Sequence, residues 1–89
     1  MHNIKETLSQ RGKSYGSFLD NANTIQDIMK ILQSNANWEK LPNTHKECYH
    51  MIIHKIARSL NGDPMYEDNI VDIIGYSTLL LENIRSPKT

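Results

Sequence analysis

The chain has 89 residues, ten basic and ten acidic side chains, four histidines, and a formal charge of zero with the histidines neutral. That balance argues against a general nucleic-acid binder, which carries a basic excess to release counterions from phosphates. The length fits one domain, 1–89, whose single modest core leans on partner chains for stability. The lone Cys48 leaves no intramolecular disulfide and suits a reducing cytoplasm. No apolar run approaches the roughly 20 residues that span a bilayer, and the opening MHNIKETLSQRGK carries no apolar signal core. The expectation is a soluble, intracellular protein with no membrane partner.

Helical periodicity dominates, with no alternating strand pattern of useful length. Ile4 and Leu8 define a short first helix ended by Arg11-Gly12, and the segment GKSYGSF turns on Gly12 and Gly16. A second helix is predicted over 17–34, with Phe18, Ala22, Ile25, Met29 and Leu32 as its buried stripe. Residues 35–42 form a loop that Trp38 and Leu41 tuck against the core. A third helix starts with Asn43 as N-cap and stops at Gly62, its apolar face being Tyr49, Ile52, Ile53, Ile56 and Leu60. Asp63-Pro64 blocks continuation. A fourth helix begins near Glu67, where acidic residues suit the N-terminal dipole, and turns Ile70, Ile73, Ile74, Leu80, Leu81 and Ile84 inward. The last residues, 86–89, fray.

At ~100° per residue, Glu47, His50, His54 and Arg58 share one polar stripe of the third helix, opposite the apolar one. In a tight antiparallel hairpin Arg58 lies level with Asp68, His54 with Asp72, and His50 with Gly75 and Tyr76. Asp68 and Asp72, one turn apart, repel mildly when exposed and call for a cation or a basic side chain when partly buried. Two answers stay open: a divalent metal held by carboxylates, or pairing with Arg58 and His54. Glu47-x-x-His50 has the spacing of carboxylate-bridged metal bundles, yet Glu and His recur at that distance in ordinary solvated helices. Lys55 and Arg58 can receive phosphate oxygens or pair with the aspartates. Tyr15 can stack on a base or anchor its turn, and Gly75 beside Tyr76 suggests close helix approach. Cys48 has no activating partner.

Three segments, RGKSYGSFLDNA, HKIARSLNGDP and DIIGYSTLL, together resemble a family of short phage and prophage proteins. The shared pattern is an Arg-Gly-x-x-Tyr-Gly-x-Phe turn, then His-Lys-Ile-Ala-Arg, then Asp-Ile-x-Gly-Tyr, and it covers about 8–81. More remotely, the last two helices are similar to the all-α MazG-like nucleotide pyrophosphohydrolases. That superfamily binds Mg²⁺ through Glu-x-x-Glu on one helix and Glu-x-x-Asp on the next. Glu47-x-x-His50 and Asn69-x-x-Asp72 stand at those places, so His50 and Asn69 replace two of the four carboxylates, with Asp68 available as a substitute.

The resemblance implies an all-α, four-helix bundle-like, MazG-like domain working as a homodimer in a bacterial host cytoplasm. In the enzymatic reading Glu47, His50, Asp68 and Asp72 hold Mg²⁺, Lys55 and Arg58 serve catalysis by neutralising phosphate charge, and Tyr15 binds the nucleotide. The alternative is a non-catalytic phage accessory protein that binds a host protein or a nucleotide signal, or a structural helical module, its polar stripes solvated or forming a dimer seam.

Overall fold

In the computed structural model, which describes residues 3–87, the chain forms four α-helices, with no strand among the described residues. α1 spans Ile4–Tyr15, α2 Phe18–Gln33, α3 Asn43–Asn61 and α4 Glu67–Arg85, and a 3₁₀ turn at Trp38–Lys40 interrupts the α2–α3 connection. The expected fraying of Lys88 and Thr89 lies outside the described residues. No helix among the described residues is long and apolar enough to cross a membrane.

Side-chain caps start the first two helices: the Asn3 side chain accepts from the Glu6 amide at 3.1 Å and Ser17 from that of Asp20 at 3.0 Å. α1 does not end at Arg11-Gly12. It runs through Gly12 and stops at Gly16, whose φ of 83° is open only to glycine without strain. At the other end of the molecule's long hairpin, α3 stops at Gly62. These two glycines meet. A Cβ on Gly16 would lie 2.5 Å from the Asn61 carbonyl oxygen, and one on Gly62 would lie 2.5 Å from that of Ser14. The α1–α2 corner and the α3–α4 corner are therefore clasped backbone to backbone. The Asp63 amide donates to the Ser14 carbonyl at 3.1 Å, and the Asn61 side chain donates to Asn21 and Thr24. The turn residues that gave two of the sequence motifs their character are the two halves of this clasp.

α3 is the central helix of a layer, with α2 on one flank and α4 on the other. Toward α2 it presents Ile53 and Ala57, one turn apart, which pack with Ile25 and Met29 under Trp38. This is the dry core, and burying each large side chain contributes about 1.5–3 kcal/mol. Toward α4 it presents Cys48 and Lys55, seven residues apart. The fully buried residues of that seam are Cys48, Lys55 and Asn69, with Ile73 and Leu80 half-buried beside them, so helices three and four meet through a mixture of polar and apolar groups.

Several expected core positions are exposed instead. Phe18 is 90% exposed, and Ile4 and Leu8 of α1 face outward. Of the predicted α3 stripe, Ile53 is buried and Ile52 half-buried, while Tyr49, Ile56 and Leu60 are exposed. On α4, Ile73 and Leu80 are half-buried, but Ile70, Ile74, Leu81 and Ile84 are not turned inward. The reason is that α4 carries two seams of 4-3-4-3 spacing, displaced by one residue. Asn69, Ile73, Tyr76, Leu80 and Asn83 form the inner one, all buried or half-buried; Ile70, Ile74, Ser77, Leu81 and Ile84 form the outer one, all exposed. The inner seam is the more polar of the two.

Candidate functional site

Three polar groupings lie on the helical layer. The first is the corner where α1 ends and α2 begins. Tyr15 sits there with two guanidinium groups on its ring, Arg58 at 4.8 Å and Arg11 at 5.2 Å from the centroid. Tyr66 meets the same ring edge-on at 5.3 Å. Hydrogen bonding of the Tyr66 hydroxyl with Tyr15, and its donation to the Asp68 carboxylate, push its ionisation up to about 12. Among the described residues, neither Arg11 nor Arg58 is paired with a carboxylate. Both line a cavity of about 470 Å³ together with Gly12, Tyr15, Gly16 and Phe18. The five fixed positions of the Arg-Gly-x-x-Tyr-Gly-x-Phe motif thus all border one cavity, and the N-terminus of α2 opens onto it.

The second grouping is the seam between α3 and α4. Lys55 Nζ lies 2.9 Å from Asp72 Oδ2, with the lysine buried and the aspartate half-buried. A buried ammonium without a partner would be costly, and Asp72 supplies that partner. Near it, Asn69 is 1% exposed, and its side-chain amide finds no hydrogen-bond partner among the described residues. Farther along the seam the Cys48 thiol donates to the Tyr76 carbonyl at 3.2 Å, and burial pushes the thiol's ionisation up, which leaves it unreactive.

The third grouping runs along α3. His50 Nδ1 lies 3.6 Å from Glu47 Oε1, and His50 and His54 face each other with their Nε2 atoms 3.3 Å apart. That contact needs one ring to donate and the other to accept, so it fails when both are cations. Burial, with the charges of His50, Arg58 and Lys55, holds His54 below the ordinary imidazole value.

The Lys55–Asp72 pair fixes the register of the hairpin within one residue of the expected one. Glu47 is eight residues from Lys55, so it stands about 12 Å along the axis from Asp72 at ~1.5 Å per residue. Both acids nonetheless face the same side. Asp72, Tyr76 and Leu79 line a groove of about 560 Å³, and Glu47, Tyr76 and Leu79 line its continuation of about 410 Å³.

The expected site residues therefore fall into separate sets. Tyr15, Arg58 and, through Tyr66, Asp68 come together at the corner; Lys55 joins Asp72 in the seam; Glu47 joins His50 at the far end. Among the described residues no three His, Cys, Asp or Glu side chains gather into one group. Gly75 has open space where its Cβ would be, so no helix of the same chain approaches it closely. Arg11, which joins this corner, is not among the residues the sequence singled out, although its i,i+4 spacing to Tyr15 on a helix is a usable signal.

Fold and site together define a small all-helical protein with a cationic, aromatic corner. The sequence model of the family described as Domain of unknown function (DUF6378) matches residues 1–84, and the chain belongs to that family. No curated protein and no solved structure matches the chain.

Proposed function

We propose that this protein binds a nucleoside polyphosphate, or a related phosphate monoester, at the corner of Arg11, Tyr15 and Arg58. One observation carries the reading: two guanidinium groups without carboxylate partners among the described residues, held on a single tyrosine ring, border the same cavity. Arginine forks match phosphate oxygens bidentately, and the start of α2 adds the positive end of a helix dipole. Because both guanidinium groups stack on Tyr15, that ring acts as their platform. Phe18, exposed on the rim of the cavity, is the aromatic surface available to a base.

Mg²⁺-dependent cleavage asks for several carboxylates converging on one ion. Here Asp72 is engaged by Lys55 and Asp68 by Tyr66, and the Glu47–His50 pair stands two turns away. Neutral imidazole is moreover a poor donor for so hard a cation. Within one chain these residues do not fit the ion, so binding rather than turnover is proposed. The phage or prophage setting and the MazG-like kinship suggested by the motifs belong to this same proposal.

Calorimetric titration with ATP, dATP, GTP and inorganic pyrophosphate tests it. Binding that weakens at least tenfold in Arg58→Ala and in Arg11→Ala, with the fold retained, supports the corner site. Absence of binding to the unaltered protein at millimolar ligand contradicts it. Pyrophosphate release in the presence of Mg²⁺ would overturn the restriction to binding.

A further inference from the structure

The helical layer has two exposed sides: the one bearing Glu47 and Asp72 mixes these acids with exposed Val71 and Leu79, and the one away from them carries the longer apolar stripe. On α3, Tyr49, Ile56 and Leu60 lie nearly opposite Glu47 and Arg58 around the helix, and all three are exposed. On α4 the neighbouring surface is the outer seam, with Ile74 61% and Ile84 55% exposed. The chain exposes 6830 Å², against about 5,400 Å² for a folded monomer of 10.3 kDa. Its radius of gyration is 15.1 Å, where a chain of this length closed around its own core reaches about 12 Å. The excess area, on the order of 1,400 Å², is more than the ~800 Å² per partner that a stable complex covers.

We infer that this side is covered by a second copy of the same chain, the two α4 helices packing antiparallel about a twofold axis at Ser77. The outer seam of Ile70, Ile74, Ser77, Leu81 and Ile84 has the 3.5-residue repeat with which helices interlock. It is also nearly symmetric about its middle residue, with Ile70 and Ile84 each seven residues from Ser77 and Ile74 and Leu81 three and four residues from it. In an antiparallel pair Ile70 of one copy meets Ile84 of the other, Ile74 meets Leu81, and the two small Ser77 residues face each other across the axis. An isologous contact of this kind closes on itself rather than propagating into a filament.

Charge agrees with the same alignment. Glu67 in the first turn of α4 and Arg85 in the last lie on one azimuth beside the seam, and both are exposed. The antiparallel register brings Glu67 of each copy to Arg85 of the other, giving two intermolecular pairs. A parallel arrangement would set Glu67 against Glu67 and Arg85 against Arg85. The sides bearing Glu47 and Asp72 then face outward, and each copy keeps its own Arg11–Tyr15–Arg58 corner, so this inference stands whether or not that corner binds nucleotide.

Sedimentation velocity on the full chain, with site-directed cross-linking, tests the proposal. The unaltered protein is expected to sediment at twice its 10.3 kDa chain mass at micromolar concentration. Ile74→Lys should raise the dimer dissociation constant roughly 100-fold or more while retaining helical circular dichroism. Ser77→Cys should form a disulfide-linked dimer under mild oxidation, because residues on the axis come within cross-linking reach. Gln26→Cys, exposed on α2, should not, and the native Cys48 is buried. The charge swap gives a test independent of packing: Glu67→Arg alone weakens the dimer, and adding Arg85→Glu restores it. A monomer at 100 µM in about 0.15 M salt overturns the proposal and leaves the apolar side to a different protein. A dimer that Ser77→Cys fails to cross-link, or that the double swap fails to restore, overturns the antiparallel α4 pairing.

Discussion

On one flank of α3, Ile53 and Ala57 pack with Ile25 and Met29, and Trp38 closes the contact without a polar atom in need of a partner inside it. On the other flank, Lys55 reaches Asp72, Cys48 reaches the Tyr76 carbonyl, and Asn69 lies buried between the helices. The first flank is a core in the usual sense. The second is a seam held by directed contacts, and α4 keeps its best apolar residues for its outer surface. A helix that turns Asn69 inward and Ile70, Ile74 and Ile84 outward is suited to being covered from outside, whereas α2 buries Ile25 and Met29 within the chain, although Leu19 and Ile31 stay exposed.

Substitutions on the two flanks should separate them. Ile53→Ala should cost about 2–4 kcal/mol in urea unfolding, because the dry flank cannot collapse around the cavity. Asp72→Asn should cost less, about 1–2 kcal/mol, since it leaves Lys55 buried without its counter-charge although the aspartate itself is half-exposed. Lys55→Met should then be within about 1 kcal/mol of the unaltered protein, an apolar stem of similar length replacing the buried ammonium. If Ile53→Ala and Lys55→Met cost the same, the distinction between the flanks is wrong.

Acid should act on the polar strip of α3 and spare the dry flank. The folded chain holds His54 below the ordinary imidazole value, so folding favours its neutral form. The associated stability is present above the unfolded value of about 6.5 and is lost as pH falls through the lower folded value. Melting temperature should decline between about pH 7.5 and 5.5, and His54→Gln should flatten that decline. A melting temperature that rises on acidification would reverse the sign argued here. The smallest effect on stability is expected at Phe18→Ser, within about 0.5 kcal/mol because the ring is exposed, yet the same change should weaken nucleotide binding measurably by calorimetry.

Much of the fold was legible from particular residues. Gly62 and Pro64 fixed the end of α3 and the start of α4, and α2 opens at its cap Ser17 as expected, whereas Asn43, expected as the N-cap of α3, is its first helical residue, with Pro42 at the cap position and no side chain capping it. The end of α1 was not legible, because two glycines four residues apart offer two stops and only the clasp with Gly62 selects the second. The face of α4 was misassigned for a deeper reason. Hydrophobic spacing marks every seam a helix will bury, and it does not distinguish a seam buried within the chain from one left exposed by it. On the site, Tyr15 and Arg58 were each recognisable, but their meeting depends on α1 crossing the end of α3, a contact between residues more than forty positions apart. For Lys55 the sequence offered phosphate oxygens or an aspartate, and the structure shows the aspartate, Asp72, a choice that depends on the hairpin register and the rotation of both helices.

The two exposed sides of the layer and the cationic corner are proposed to serve different ends, the apolar stripe for a second copy and the corner for the ligand. The most direct test is backbone amide mapping by NMR during titration with ATP in the absence of metal. Progressive shifts are expected at Gly12, Tyr15, Gly16 and Arg58, with residues around Ile74 and Leu81 unmoved. Shifts confined to the outer seam of α4, or none anywhere at millimolar ATP, would contradict this division.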